Sequence, residues 1–311
     1  MKRAVRKREA QFRRKSLRHF IYVVVFTLGI VVMFAVSTLW LADRRTNETP
    51  LKFSSIHGLS YTSDGRRLYV ATSEGLRVYA DNQWRIPDGA NHNYRGFTGI
   101  GSGFFTSGYR DLDISSEGLL GIARSTDGGT TLISLNFEDN LVVDVLAAGY
   151  RSYMLYAFIP DETRFLSRGL HYSLDEGLTW QQSGARGLAA APVQLAVHPY
   201  EISRVAAATD AGVFMSSNHG DDFSPLDEGG RATMVAFDPE MGDELYFGFR
   251  QLYRYGLESR QTEPLPGPDL SEGEFFSYIA VNPVRDEIAL ATSRRCIYVT
   301  RDDGLTWQQI G

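Results

Sequence analysis

The sequence predicts an all-β fold, a single closed ring of six four-stranded sheets, preceded by one N-terminal membrane-spanning helix. Three observations carry that expectation. An octet, SLDEGLTW at Ser173 to Trp180, returns as TRDDGLTW at Thr300 to Trp307 with five of eight positions identical. The 311 residues include 30 glycines, 16 tyrosines and 18 phenylalanines. That composition suits short strands and tight turns, because aromatic rings fit pleated surfaces and glycine supplies positive φ. Finally, the 23 residues from Phe20 to Ala42 carry no charge.

The anchor comes first in the chain. Of 32 basic and 37 acidic residues, nine and one fall in residues 1–19, which leaves 23 and 36 for the remainder, a net of −13. The stretch FIYVVVFTLGIVVMFAVSTLWLA follows that basic tail. At a rise of about 1.5 Å per residue it spans a hydrocarbon layer of roughly 30 Å as one helix. It exceeds the h-region of a cleaved leader, about 7–15 residues, and a cut after Ala42 would put Trp40 where a small residue is needed. An uncleaved anchor at residues 20–42 is therefore expected. The basic tail outweighs Arg44 and Arg45, so residues 1–19 are expected to stay cytoplasmic and the acidic body to be exported, single-pass, from the cell membrane. Residues 43–52 read as a polar linker, and residues 53–311 as the body.

The tail lacks the interleaved aromatic residues of a nucleic-acid binder, Phe12 excepted, and the body is acidic, so nucleic acid is not an expected partner. Cys296 is the only cysteine, so no internal disulfide can form.

The octet belongs to a longer series. STDGGTTL at Ser125 to Leu132 and SSNHGDDF at Ser216 to Phe223 share its offsets. The four copies start at residues 125, 173, 216 and 300, and the last gap is close to two periods. RLYVATSEGLRVY (Arg67 to Tyr79) and ELYFGFRQLYRY (Glu244 to Tyr255) repeat the flanking cadence without a good octet, which makes six units from Phe53 to Gly311. Each unit reads as strand, turn, strand, short turn, strand, octet, strand. A period of 40–50 residues holding four short strands is the signature of a β-propeller blade. One such sheet cannot bury both faces alone, whereas six arranged radially share a core.

The octet is the hairpin between third and fourth strands. Asp127, Asp175, Asn218 and Asp302 are expected to accept hydrogen bonds from their own turns, and the glycine two residues on to be left-handed. Trp180, Phe223 and Trp307 are expected to bury their rings between blades. This pattern is the Asp box, or BNR repeat, and the body resembles the Asp-box propellers, a superfamily that includes sialidases, sortilin-type receptors and photosystem assembly factors. IHGLSYTSDGRRLYVATSEGLRVY, NYRGF, FFTSGY and LAAGYRS together are similar to a bacterial family of exported Asp-box proteins that are labelled glycosyl hydrolases by analogy. This chain departs from that family at Tyr109, where members tend to carry histidine.

The chemistry is less specific. D-x-D-x-G loops bind calcium, but these octets lack the remaining ligands and the glutamate at position twelve. No H-x-x-x-H or paired cysteines suggest zinc, and no phosphate loop or nucleophile elbow occurs. No cofactor or metal is expected. WRIP at Trp84 to Pro87 is similar to the substrate clamp of sialidases, yet the repeat puts Arg85 on an outer strand, and the other sialidase residues have no recognisable motif.

Propellers bind ligands at the mouth of the central channel. Aligning the inner strands on Leu59, Leu146, Leu195, Val235 and Ile279 places His57, Asp144, Val193, Thr233 and Ser277 at one level, with Arg95 joining them from the second unit. His57, Arg95 and Asp144, with Glu272 or Glu274 from the loop entering the sixth unit and His92 overhanging, form the candidate site. The expected function is a membrane-anchored binding or assembly module for an envelope glycan or protein partner. The alternative is a glycoside hydrolase with Asp144 and Glu274 as acid and base or nucleophile, which requires carboxyl groups about 5–10 Å apart.

Overall fold

Six blades follow one another along the chain with no exchange of strands between them. Each is a four-stranded antiparallel sheet whose strands pair in chain order, so the first strand is innermost and the fourth outermost. The inner strands are Gly58–Tyr61, Asn93–Ile100, Val145–Ala148, Pro192–Val197, Met234–Phe237 and Phe276–Val281. Each touches the next, and the sixth touches the first, which closes the ring. The computed structural model describes residues 33, 51–89, 91–110, 118–138, 140–226 and 230–311. The expected tail, the anchor apart from Met33 and most of the linker lie outside the described residues. Among those described, no helix is long and apolar enough to cross a membrane.

The core lies between blades, as the repeat requires. Leu146, Leu155 and Ala157 of blade 3 pack with Phe105 and Ile122 of blade 2. Leu195 and Val205 of blade 4 pack in turn with Tyr156 and Leu170 of blade 3. The second strands are the most buried, with LYVAT, VAAAT and IALAT shielded along their whole length. At the ring centre the inner strands come close. A Cβ on Gly99 would collide with the Ser60 hydroxyl of the neighbouring blade.

Ring closure uses the two ends of the body. Phe53 and Ile310 lie in one buried cluster with Leu59 and Val70 of blade 1 and Ala289 and Val299 of blade 6. Trp84 Nε1 donates to the Ile310 carbonyl at 2.7 Å, and Asn282 Nδ2 to the Gly65 carbonyl at 2.9 Å.

All four octets close the hairpin between third and fourth strands. In blade 3, Asp175 Oδ1 accepts from the Thr179 amide at 2.8 Å and from the Ser173 hydroxyl at 2.8 Å, while Oδ2 accepts from the Thr179 hydroxyl. Asp127 and Asp302 repeat this with Thr131 and Thr306. Asn218 does so with the Asp222 amide and returns a bond from Nδ2 to the Asp222 carboxylate. Gly129, Gly177, Gly220 and Gly304 have positive φ, as expected, and so do the residues before them, Gly128, Glu176, His219 and Asp303. The turn therefore holds two successive left-handed positions, of which only the second demands glycine by name.

The octet aromatic residues differ from expectation in burial. Phe223 is buried, but Trp180 and Trp307 are only half-buried. Their indole N–H groups explain this, since they donate to the Gly177 and Pro266 carbonyls at the rim. The octet also joins blades through its backbone: Asn136 of blade 2 donates to the Gly177 carbonyl, and the Ala185 amide of blade 3 to the Gly220 carbonyl. The two units without an octet turn by other means. Asp81 and Asn82 both have positive φ, the two-residue hairpin that matches strand twist, and blade 5 turns through residues 256–261.

Candidate functional site at the channel mouth

Strand direction separates the two faces of the ring. In an antiparallel meander, the hairpins between strands 1 and 2 and between strands 3 and 4 share one face. The octets therefore sit at the C-terminal ends of the inner strands. The opposite face carries the segments that enter each inner strand, and His57, Arg95, Asp144, Val193, Thr233 and Ser277 fall there. A cavity of about 120 Å³ is lined by all six inner strands, including Leu59, Phe97, Leu146, Leu195, Val235 and Ile279.

A larger concavity of about 500 Å³ opens at the entry face, and His57, Val193, Thr233 and Ser277 all line it. Repeat alignment thus brings four of its six residues into one pocket. The other two are close by as an ion pair, Arg95 Nε to Asp144 Oδ1 at 2.9 Å. The pair faces His57 electrostatically. Burial first and the Arg95 charge second bring the His57 pKa down to about 4, against the opposing charge of Asp144. At neutral pH the imidazole is uncharged and shares a hydrogen bond of 2.8 Å with the Ser73 hydroxyl. Burial also raises the Tyr278 phenol on the same wall.

The remaining candidate residues lie elsewhere. Glu274 is 3% exposed. It accepts from the Thr292 hydroxyl at 2.5 Å and from the Ser271 amide at 3.0 Å, so it braces the loop into blade 6 rather than facing the mouth. Glu272 is exposed on that loop, and its backbone carbonyl accepts from Arg294. His92 is half-buried, edge-on to Tyr94 with ring centres 6.0 Å apart, and does not line the pocket. Arg85 lies on the outermost strand of blade 1 beside Asp81, far from a role as a channel clamp. Tyr109 ends the second strand of blade 2 opposite Asn93. Among the described residues, no group of three His, Cys, Asp or Glu side chains could hold a metal ion.

Sequence alignment misses the residues that give the pocket its character. Arg231 lines it with its guanidinium 4.8 Å from the Phe249 ring centre and 5.7 Å from that of Phe275, and its Nε is 2.7 Å from Asp210. Arg295 lines it from the turn between the second and third strands of blade 6 and donates to the Ser54 carbonyl at 2.7 Å. Both lie in connections that vary from blade to blade. The one usable signal is that Arg231 stands two residues before the ring position of Thr233.

No family model matches the chain, and no curated protein matches it in sequence. Solved structures do resemble it in fold. A GH74 xyloglucanase from Xanthomonas campestris aligns over 84% of this chain at 15% identity and a TM-score of 0.55. A GH74 enzyme from Niastella koreensis aligns over 84% at 12% identity and a TM-score of 0.56. The chain covers 46% of each of those proteins, less than half their length. YCF48 bound to D1 peptide aligns over 85% of this chain and 86% of its own at 16% identity, with a TM-score of 0.46.

Proposed function

We propose that the chain is a membrane-anchored binding module whose propeller stands outside the cytoplasmic membrane and takes an envelope glycan at its channel mouth. The Asp-box pattern of the four octets is, on this reading, masonry, and the working surface is the opposite face. The observation that carries the proposal is the lining of the 500 Å³ pocket. It offers guanidinium, hydroxyl and aromatic groups and, among the described residues, no carboxylate. Most glycosidases cleave with two carboxyl groups flanking the bond. Here Asp144 is held by Arg95 and Glu274 is turned into the wall, which favours binding over hydrolysis. The apolar stretch from Phe20 to Ala42 and the basic tail before it support the anchored, exported topology.

The test uses the full-length chain in detergent micelles and polysaccharide fractions from a bacterial envelope. Val193 is 45% exposed at the pocket wall, so Val193→Trp fills the pocket without disturbing the core. Retention of a glycan by the wild type and its loss in Val193→Trp, at unchanged thermal midpoint, is the expected result. Failure of the wild type to retain any envelope glycan overturns the proposal. Release of reducing ends that disappears in Asp144→Asn would replace binding by hydrolysis.

A further inference from the structure

We propose that the mouth pocket selects an acidic glycan, a saccharide bearing carboxylate groups, and that Arg231 and Arg295 hold the acid. The inference rests on the glycan reading of the mouth and names the chemistry that the pocket recognises.

Charge is the first argument. From residue 20 onward the chain carries 36 acids against 23 bases, so a concavity on its surface would by default contain carboxylates. This one has two arginines and none among its described lining residues. His57 is held neutral by burial, so the positive charge belongs to the arginines, that of Arg231 being partly offset by Asp210 at 2.7 Å.

The hydroxyl groups point to the same ligand. Ser55 Oγ accepts from the Ser73 amide at 2.8 Å, and Ser293 Oγ accepts from the Phe275 amide at 3.2 Å. One lone-pair site of each is taken by backbone, and the O–H of each remains for a ligand. Thr233 and Thr292 already donate, to the Phe276 carbonyl and to Glu274. Thr233 and Thr292 therefore have no O–H left for a ligand, and the remaining donors are the arginine N–H groups and the Ser55 and Ser293 hydroxyls, which suit a group that only accepts, such as an ionised carboxylate.

Geometry supplies the third argument. The Arg231 fork is oriented before any ligand arrives, by Asp210 at Nε and by the tilted pair Phe249 and Phe275, whose ring centres are 5.1 Å apart. A fixed planar guanidinium matches a carboxylate with two parallel hydrogen bonds and loses little entropy on binding. Phe275 and Tyr278 also line the pocket and give it apolar wall suited to the C–H side of a sugar ring. A simple anion would need no such wall.

The experiment measures binding of a uronic-acid oligosaccharide and of its carboxyl-reduced, neutral counterpart to the full-length chain in detergent. Wild type is expected to bind the acid at least about tenfold more tightly, with an advantage that shrinks as salt rises. Arg231→Gln with Arg295→Gln should erase that advantage. Because those changes also remove structural bonds, Val193→Glu and Val193→Gln form a second pair at an exposed position. The glutamate should bind the acid about tenfold more weakly than the glutamine, which shares the loss of the valine but not the added charge. Equal binding of acid and neutral sugars by the wild type overturns the acidic preference while leaving the glycan reading intact, whereas binding of neither overturns that reading. Tighter binding of a glycerol-phosphate polymer than of the uronate would also overturn the carboxylate assignment.

Discussion

Arg95 Nε lies 2.9 Å from Asp144 Oδ1, an ion pair that ties the inner strand of blade 2 to the segment entering blade 3 beside His57. Both side chains are substantially exposed, at 36% and 62%, so the pair contributes at most about 1 kcal/mol to stability. Its larger effect is local. Arg95 lowers the His57 pKa and Asp144 raises it. Arg95→Gln is therefore expected to raise the His57 pKa from about 4, and Asp144→Asn to lower it. An NMR titration of the His57 ring proton in each variant reads both shifts, and equal titration in all three proteins would disprove the juxtaposition.

Acid should weaken the fold through the same histidine. Burial is the largest cause of its depressed pKa, and burial likewise lowers His171 and His198. With the unfolded value at 6.5 and the folded value at about 4, the unfolded chain binds the proton first as pH falls. Stability is then fully present above pH 6.5 and is lost on the way down to about 4. For a residue that keeps some solvent contact, the His57 share is on the order of 1 kcal/mol. His57→Gln, which keeps a partner for Ser73, should flatten the fall in urea midpoint between about pH 7 and pH 5. An unchanged slope would assign the acid sensitivity to other groups.

The serine or threonine that opens each octet should matter more than the residue two positions on. Ser173 is 1% exposed, accepts from the Gly177 amide at 2.8 Å and donates to Asp175. Ser173→Ala leaves the buried Gly177 N–H without its acceptor, at a cost of about 1–3 kcal/mol. Asp175→Asn should cost less, since Asn218 makes the equivalent turn in blade 4. Denaturant melts of both variants give the order, and a larger loss for Asp175→Asn would refute it.

These turns were legible because their contacts are local. The serine or threonine, acid, glycine and second threonine of three octets bond within four residues of one another, so the pattern is written in consecutive letters. Inner-strand alignment succeeded for a related reason: every blade must place Leu59, Leu195 or Ile279 at the same depth. The connections over the mouth have no such constraint. Arg231 and Arg295 are 64 positions apart and meet only because the ring brings blades 5 and 6 together. Glu274 reads as a free acid in SEGEFF, and its burial depends on Thr292 from the next hairpin. Aromatic burial was overestimated at Trp180 and Trp307 because their N–H groups have partners only at the rim.

Ring closure gives the last test. Without strand exchange, blade 6 holds to blade 1 through side chains, and Ile310 is central to that contact, 6% exposed in the cluster containing Phe53, Leu59 and Val70. Its carbonyl accepts the Trp84 indole N–H. Ile310→Ala should destabilise by about 2–4 kcal/mol, the usual cost of a cavity left by a buried aliphatic side chain. Trp84→Phe should cost less, because the ring stays packed on Phe53 and only the hydrogen bond is lost, about 1 kcal/mol. If the blades were held chiefly by other contacts, Ile310→Ala would behave as a surface change, within about 0.5 kcal/mol of wild type. Melts followed by Trp84 fluorescence, with the other three tryptophans replaced by phenylalanine, would show whether the junction opens before the rest of the ring. Early loss of that signal in Ile310→Ala is the expected outcome, and a single coincident transition at the wild-type midpoint would count against a side-chain closure.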